Sequence, residues 1–391
     1  MEANEDGTVG GSHRGLVDLA TSLDRQRFEP VVLFYQTNRH VEELRGAGVE
    51  VHCWDETRAN ERRRRAQGGL RKYGDFLGAI WRRTRVIERL RIDLVHLNNS
   101  LRSGYDDWLP AARFARVPCV TFAMGDAVID SWLVRAAAPY FDHVIAISGY
   151  MRDAVRGAGV PEERIALAYL GVDAQSLRAS VRTPRVVKRA ELGIADADVA
   201  VVMVANVRSW KGQHVLVDAL ARLTLEVRAH VQVRFVGAES VVDHAYRRTL
   251  DERIAAIGIG DRVRFLGARD DVPEVYAATD IAVHASVIPE PFGLVVPEAM
   301  AHGIPVIASR FGGPGEVLTP SCGRTFDPEH PAELAAHLTE LVCDATLRRS
   351  LGAEARKQVE AFSVTAMVEQ IQHVYEKVLG GERAHGHRRL R

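Results

Sequence analysis

Residues 289–301 read Pro-Glu-Pro-Phe-Gly-Leu-Val-Val-Pro-Glu-Ala-Met-Ala, so two carboxylates, Glu290 and Glu298, flank a glycine turn that opens a helix just after an apolar run at 280–285. Donors left unsatisfied at a helix N-terminus, together with the helix dipole, attract anions. The backbone N–H groups of Phe292, Gly293 and Leu294 are therefore expected to meet a diphosphate. Glu298, one turn in, can accept hydrogen bonds from vicinal hydroxyls such as those of a ribose, and Glu290, held between two prolines, can face a sugar ring. An acid in a first helical turn is also favourable on its own account, which is the competing reading of Glu298.

A second group, Asn206-Val207-Arg208-Ser209-Trp210-Lys211-Gly212, follows the apolar run 199–205. Open α/β sheets bind ligands beyond the ends of their strands, which makes Lys211 the expected phosphate ligand. Its compact ammonium suits a diphosphate whose charge grows as a sugar departs. Arg208 can supply a second positive charge and Asn206 a hydrogen-bond donor; a solvated turn with an incidental arginine competes for Arg208. Near the start of the chain, Gly10-Gly11-Ser12-His13 precedes Leu16, Leu19, Ala20 and Leu23, an apolar face with helical spacing. Glycine there permits close backbone approach, although a Gly-Gly before a helix is more often only a turn.

These residues need strands and helices to position them. Short apolar, β-branched runs at 30–35, 92–97, 118–122, 143–147 and 165–168 alternate with helical patterns, and a second series occupies 199–205, 231–236, 263–266, 280–285 and 304–308. Such alternation predicts βαβ units around parallel sheets, and hence an α/β chain of two doubly wound domains, 1–177 and 178–391. The linker is expected within 176–198, which carries Arg178, Arg182, Arg185 and Lys188 and one short helical candidate at 189–192. Residues 364–379 have helical apolar spacing.

The 391 residues are 47% hydrophobic and 26% charged, with a formal net charge of zero, so no global field argues for a nucleic-acid partner. Cys53, Cys119, Cys322 and Cys343 form no C-x-x-C pair and the histidines have no metal spacing. A reduced, cytoplasmic protein without a metal is expected. Met1 to Gly11 is acidic and polar, unlike a signal peptide, and no apolar run reaches the length of a membrane span. Residues 58–91 hold twelve Arg and Lys with interleaved Leu70, Tyr73, Leu77, Ile80 and Trp81. A basic aromatic helix of this kind suits either peripheral contact with an anionic membrane or a solvated face.

Glu-x7-Glu with Pro-Phe-Gly inside it resembles the donor-site signature of the group 1 (family 4) retaining glycosyltransferases of the GT-B fold. The likeness continues through Gly303-Ile304-Pro305-Val306-Ile307-Ala308 and Gly312-Gly313-Pro314-Gly315-Glu316, covering 198–330 in order and spacing. The resemblance implies two Rossmann-like domains facing across a cleft, with the final helix crossing back to the first. It also implies transfer of a sugar from a UDP- or GDP-linked donor to an acceptor hydroxyl with retention, the acceptor being a glycan or lipid-linked sugar at the inner face of the membrane. No metal or other cofactor and no protein nucleophile is implied. Lys211, Arg208 and Glu290 would be catalytic, Asn206, Phe292, Gly293, Leu294 and Glu298 would bind the donor, and Gly10 and Gly11 would form the phosphate or acceptor loop. A nucleotide-sugar-binding protein without turnover, or a GT-B epimerase or phosphorylase, are the alternatives; no G-x-G-x-x-G follows a strand, against a dehydrogenase.

Three departures stand out. An arginine is usual where Asn206 stands, and no histidine follows the strand ending at Phe122; His13 or Asp126 can substitute for it, although surface or structural roles are favoured for both. The glycine loop ordinarily follows a first strand, yet residues 1–9 contain no apolar run. A slot in the middle of the first sheet is expected, filled by another segment or by residues upstream.

Overall fold

A computed structural model describes residues 11–35, 37–54, 69–98, 107–125, 132–239 and 243–386. Gly10, Asp126 and the stretch 58–68 of the basic segment lie outside them. The chain divides into two compact units, one running to Gly171 and resuming at Val364, the other Val172–Ser363. The division falls a few residues before the 177/178 boundary expected from sequence, and the last helix, Val364–Gly386, belongs to the first unit.

In the second unit six parallel strands form one sheet: β7 (Val199–Val204), β8 (Val231–Val236), β9 (Val263–Phe265), β10 (Ile281–His284), β11 (Val306–Ser309) and β12 (Gly323–Phe326), in the order β12-β11-β10-β7-β8-β9. The chain winds from β7 out to β9, returns to β10 beside β7, and winds the other way. β7 and β10 thus flank the point where winding direction reverses, where doubly wound sheets present ligand crevices. Their sequences, Val-Ala-Val-Val-Met-Val and Ile-Ala-Val-His, are almost wholly buried, as expected for parallel strands covered on both faces.

Residues 176–198 differ from the expected linker. Two helices occupy this region, Ala174–Ala179 and Arg185–Glu191. Lys188 and Arg189 are buried: Lys188 Nζ bonds Glu191 and Asp271 (2.7 and 3.0 Å), and Arg189 bonds Asp280 (2.9 Å) and the carbonyls of Ala195 and Asp198. Basic residues of the expected linker are here satisfied by carboxylates of the second unit, the condition under which charge tolerates burial. Arg234, on β8, is likewise buried among carbonyl acceptors including Leu192 and Gly193; burial lowers its pKa to about 10.

In the first unit, β1 (Val31–Phe34) pairs in parallel with β2 (Glu50–Cys53), while β3 (Val95–Leu97), β4 (Cys119–Ala123), β5 (His143–Ala146) and β6 (Ile165–Leu167) form a separate parallel sheet. Among the described residues no ladder joins β1 to β3. The helix Gly11–Ser22 buries Val17, Leu19 and Ala20, with Leu23 buried just past its end, and the final helix packs against it. His13 is buried and stacked on His40, with ring centroids 6.3 Å apart; burial chiefly, with nearby positive charge after it, lowers its pKa to about 4. A neutral, packed ring is the role this position has in the unit.

Candidate functional site

Two loops meet at the carboxyl ends of β7 and β10. After β7, Ala205 and Asn206 lead into a single 3-10 turn, Ser209–Lys211, closed by a backbone bond from the Lys211 N–H to the Arg208 carbonyl (2.9 Å). Gly212 follows with φ 78°, and a Cβ there would stand 1.9 Å from the carbonyl oxygen of Ala285. Only glycine allows both the left-handed turn and this approach. The contact draws the turn onto the end of β10, reinforced by the Val287 N–H donating to the Trp210 carbonyl (2.9 Å). The helix Gln213–Arg222 then begins at Gly212.

The second loop, 285–294, brings Glu290 under this turn. Lys211 Nζ donates to Glu290 Oε1 at 2.7 Å and lies 4.2 Å from the centroid of the Trp210 ring. The same carboxylate oxygen is bonded to His284 Nε2 (2.9 Å) and accepts from the Ser286 hydroxyl. Glu290, His284 and Ser286 are all buried. Burial alone would raise the Glu290 pKa; His284 and Lys211 overcome it and hold the carboxyl well below the usual carboxylate range. The site therefore keeps a fixed negative charge beside a partly exposed ammonium.

The glycine turn after β11 buttresses the loop. Glu290 and Gly312 form a parallel bridge, the Gly313 N–H donates to the Glu290 carbonyl at 2.9 Å, and a Cβ on Gly312 would lie 2.3 Å from that oxygen. Gly293 has φ 79°, so the chain turns sharply before the helix Val295–Ala301, whose first turn carries Glu298. Phe292 is buried against Phe362. Tyr276 packs beneath, its hydroxyl donating to the Val295 carbonyl (3.2 Å), and its pKa is raised, chiefly by burial and further by the charge of Glu298.

Lys211 and Glu290 are thus in direct contact, with Phe292, Gly293, Leu294 and Glu298 on the continuation of the Glu290 loop. Arg208 opens the Lys211 turn. Asn206 is anchored: its Oδ1 accepts from the Ala238 N–H (3.1 Å) and its carbonyl from the Gln213 side chain (3.0 Å). Gly11 begins a helix of the other unit. Sequence reasoning overlooked His284 and Ser286, although polar residues alternating with alanine at the end of an apolar run were a visible signal. Among the described residues no cluster of His, Cys, Asp and Glu is placed to hold a metal ion.

A doubly wound sheet carries an ion pair and glycine turns at its switch point, and the chain belongs to the group 1, family 4 glycosyltransferases of the GT-B fold. Residues 9–176 match Glycosyltransferase Family 4, and residues 185–358 match Glycosyl transferases group 1. The chain is 31% identical over 324 residues to a D-inositol 3-phosphate glycosyltransferase of Streptomyces bingchenggensis, covering 76% of this chain and 68% of that one. It is 27% identical over 305 residues to an N-acetyl-alpha-D-glucosaminyl L-malate synthase of Bacillus anthracis, covering 75% and 77%. Among solved structures it is similar to Anabaena HepE in complex with UDP and glucose, with a TM-score of 0.78, 25% identity, and coverage of 96% and 98%.

Proposed function

We propose that this glycosyltransferase moves a hexosyl group from a UDP-sugar to an acceptor hydroxyl with retention of configuration. The observation that carries this reading is the Lys211–Glu290 contact at the ends of β7 and β10. In the proposed reaction the bond from the sugar C1 to the β-phosphate oxygen breaks and its electron pair stays on the phosphate. The acceptor oxygen attacks C1 on the same face, and its proton passes to the departing phosphate oxygen. Lys211, with Arg208 beside it, stabilises the charge that builds on the diphosphate, and the amides of Phe292, Gly293 and Leu294 add to this. Glu298 holds the ribose hydroxyls and Glu290 the donor sugar. UDP is favoured over GDP because HepE was solved with UDP-glucose as well as with UDP.

Peripheral contact with a membrane at the inner face is part of the proposal. The helix Gly69–Arg89 exposes Leu77 and Trp81 one turn apart, at 63% and 61%, and the Arg85 guanidinium lies 5.5 Å from the Trp81 ring centroid. Apolar side chains rimmed by Arg82, Arg85 and Arg89 suit the interface of an anionic bilayer. No described helix is long and apolar enough to cross one.

Incubation with UDP-glucose, UDP-N-acetylglucosamine and GDP-mannose, followed by thermal shift and by nucleotide release, tests the donor reading. The matching donor at 100 times its Kd adds about 2.7 kcal/mol to stability. Release of sugar phosphate instead of nucleoside diphosphate would indicate a phosphorylase, and binding without release a non-catalytic protein.

A further inference from the structure

The first unit carries an aromatic cluster that the donor chemistry does not use. Tyr35 directly follows β1, Trp54 follows β2, and Trp108 begins the helix Trp108–Ala115 that comes after β3. All three half-buried side chains gather at one place. The indoles of Trp54 and Trp108 stack with centroids 6.1 Å apart and planes inclined by 20°, and the Trp108 Nε1–H donates to the Tyr35 hydroxyl at 2.5 Å. Behind them, Arg83 and Asp107 are buried and joined at 2.5 Å, and the Arg83 guanidinium lies 5.4 Å from the Trp108 centroid and 5.8 Å from that of Tyr35.

Three aromatics beyond the carboxyl ends of parallel strands stand where open α/β sheets take their ligands. Within the described cluster the charges cancel, since the one guanidinium is matched by the one carboxylate. The partly exposed cluster is aromatic and weakly polar, held in place by a buried ion pair and a hydrogen bond. An aromatic cluster of this kind suits a ring with an apolar C–H face and polar edges.

We propose that Trp54 and Trp108 form the acceptor shelf of this enzyme and that the acceptor presents a pyranose ring, so that the sugar is added to an existing glycosyl residue. This deepens the function proposed above and rests on it.

The full chain labelled with 5-fluorotryptophan tests the shelf by fluorine NMR, each of its five tryptophan resonances being assigned by Trp-to-Phe replacement. Methyl glucopyranoside, methyl galactopyranoside and methyl mannopyranoside are the probes, with malate and D-inositol 3-phosphate alongside. At least one pyranoside shifts the Trp54 and Trp108 resonances and leaves Trp81 in place, while malate and D-inositol 3-phosphate shift neither. Immobility of both resonances with all three pyranosides, or equal shifts with malate, overturns the proposal.

Trp54→Leu provides a second reading, because it removes one indole of the stack and leaves the Trp108–Tyr35 hydrogen bond in place. The variant raises the KM for a pyranoside acceptor about threefold to tenfold, the range expected of one aromatic contact, with the UDP-induced thermal shift retained. An unchanged acceptor KM, or loss of the UDP shift together with the acceptor, counts against the shelf. A wild-type chain that releases nucleotide from no donor would instead overturn the transferase reading, whatever the fluorine spectra show.

Discussion

Oε1 of Glu290 gathers an ammonium, an imidazole and a hydroxyl onto one buried oxygen, so the carboxylate fixes Lys211 before any ligand arrives. This preorganisation matters because a donor already aimed at developing charge costs little reorganisation in the transition state. Lys211→Ala should lower kcat by roughly 10²-fold or more, with a smaller change in the donor KM. Steady-state kinetics against the preferred UDP-sugar checks this, and a raised KM with kcat intact would contradict the role. Glu298→Ala should weaken donor binding by about 1–3 kcal/mol, the usual effect of removing a charged acceptor from buried hydroxyls. Calorimetric titration with UDP-sugar measures it, and unchanged affinity would remove Glu298 from the site. The two glutamates and the lysine were legible in sequence because glycine and proline mark their loops. His284 and Ser286 were not: a polar side chain on a buried strand acquires meaning only when its partner's loop folds over it.

At the scale of elements, β3 and the final helix are joined by His96, whose Nδ1 is 2.5 Å from the Tyr375 hydroxyl and whose ring packs 4.5 Å from that of Phe122. Its Nε2 is buried and has no hydrogen-bond partner among the described residues, so an imidazolium would carry an N–H with no described acceptor. Burial lowers the His96 pKa to about 3. A histidine whose folded pKa lies below its unfolded value of about 6.5 contributes stability in full above pH 6.5, and this is lost as pH falls towards 3. Within that window the slope is about 1.4 kcal/mol per pH unit for each such proton. Urea unfolding of wild type and His96→Gln between pH 7 and 5 should show the shallower dependence in the variant; parallel curves would mean that His96 does not titrate on unfolding. The helix Gly69–Arg89 makes a separate prediction. Leu77→Ser with Trp81→Ser should reduce co-sedimentation with phosphatidylserine vesicles several-fold without changing that with neutral vesicles, and equal binding of wild type and variant would place the membrane contact elsewhere. Its Arg-rich composition was visible in sequence, but periodicity alone did not separate Arg83, buried against Asp107, from the exposed Arg82 and Arg85.

For the whole molecule, the second unit has one continuous six-stranded sheet, whereas the described strands of the first form two separate ladders. Strand amides without a neighbour on one side open more readily, so hydrogen exchange should be faster in β1 and β3 than in β7. Equal protection would show that another segment pairs with those edges. The sequence by itself determined the α/β class, the family, most of the strands and the loops that carry Lys211, Glu290 and Glu298, because apolar runs, glycine turns and proline-flanked acids are local signals. It missed β2 and β12, Glu-Val-His-Cys and Gly-Arg-Thr-Phe, which lie at sheet ends where one side of the strand lacks a neighbour and no apolar run is required. It also read 176–198 as a linker with one short helical candidate. Only tertiary structure decided which charges are buried and matched, since Lys188, Arg189 and Arg83 owe their burial to carboxylates far along the chain. Only tertiary structure drew Tyr35, Trp54 and Trp108 into one shelf, because the strand ends that carry them become neighbours when parallel strands align and not before.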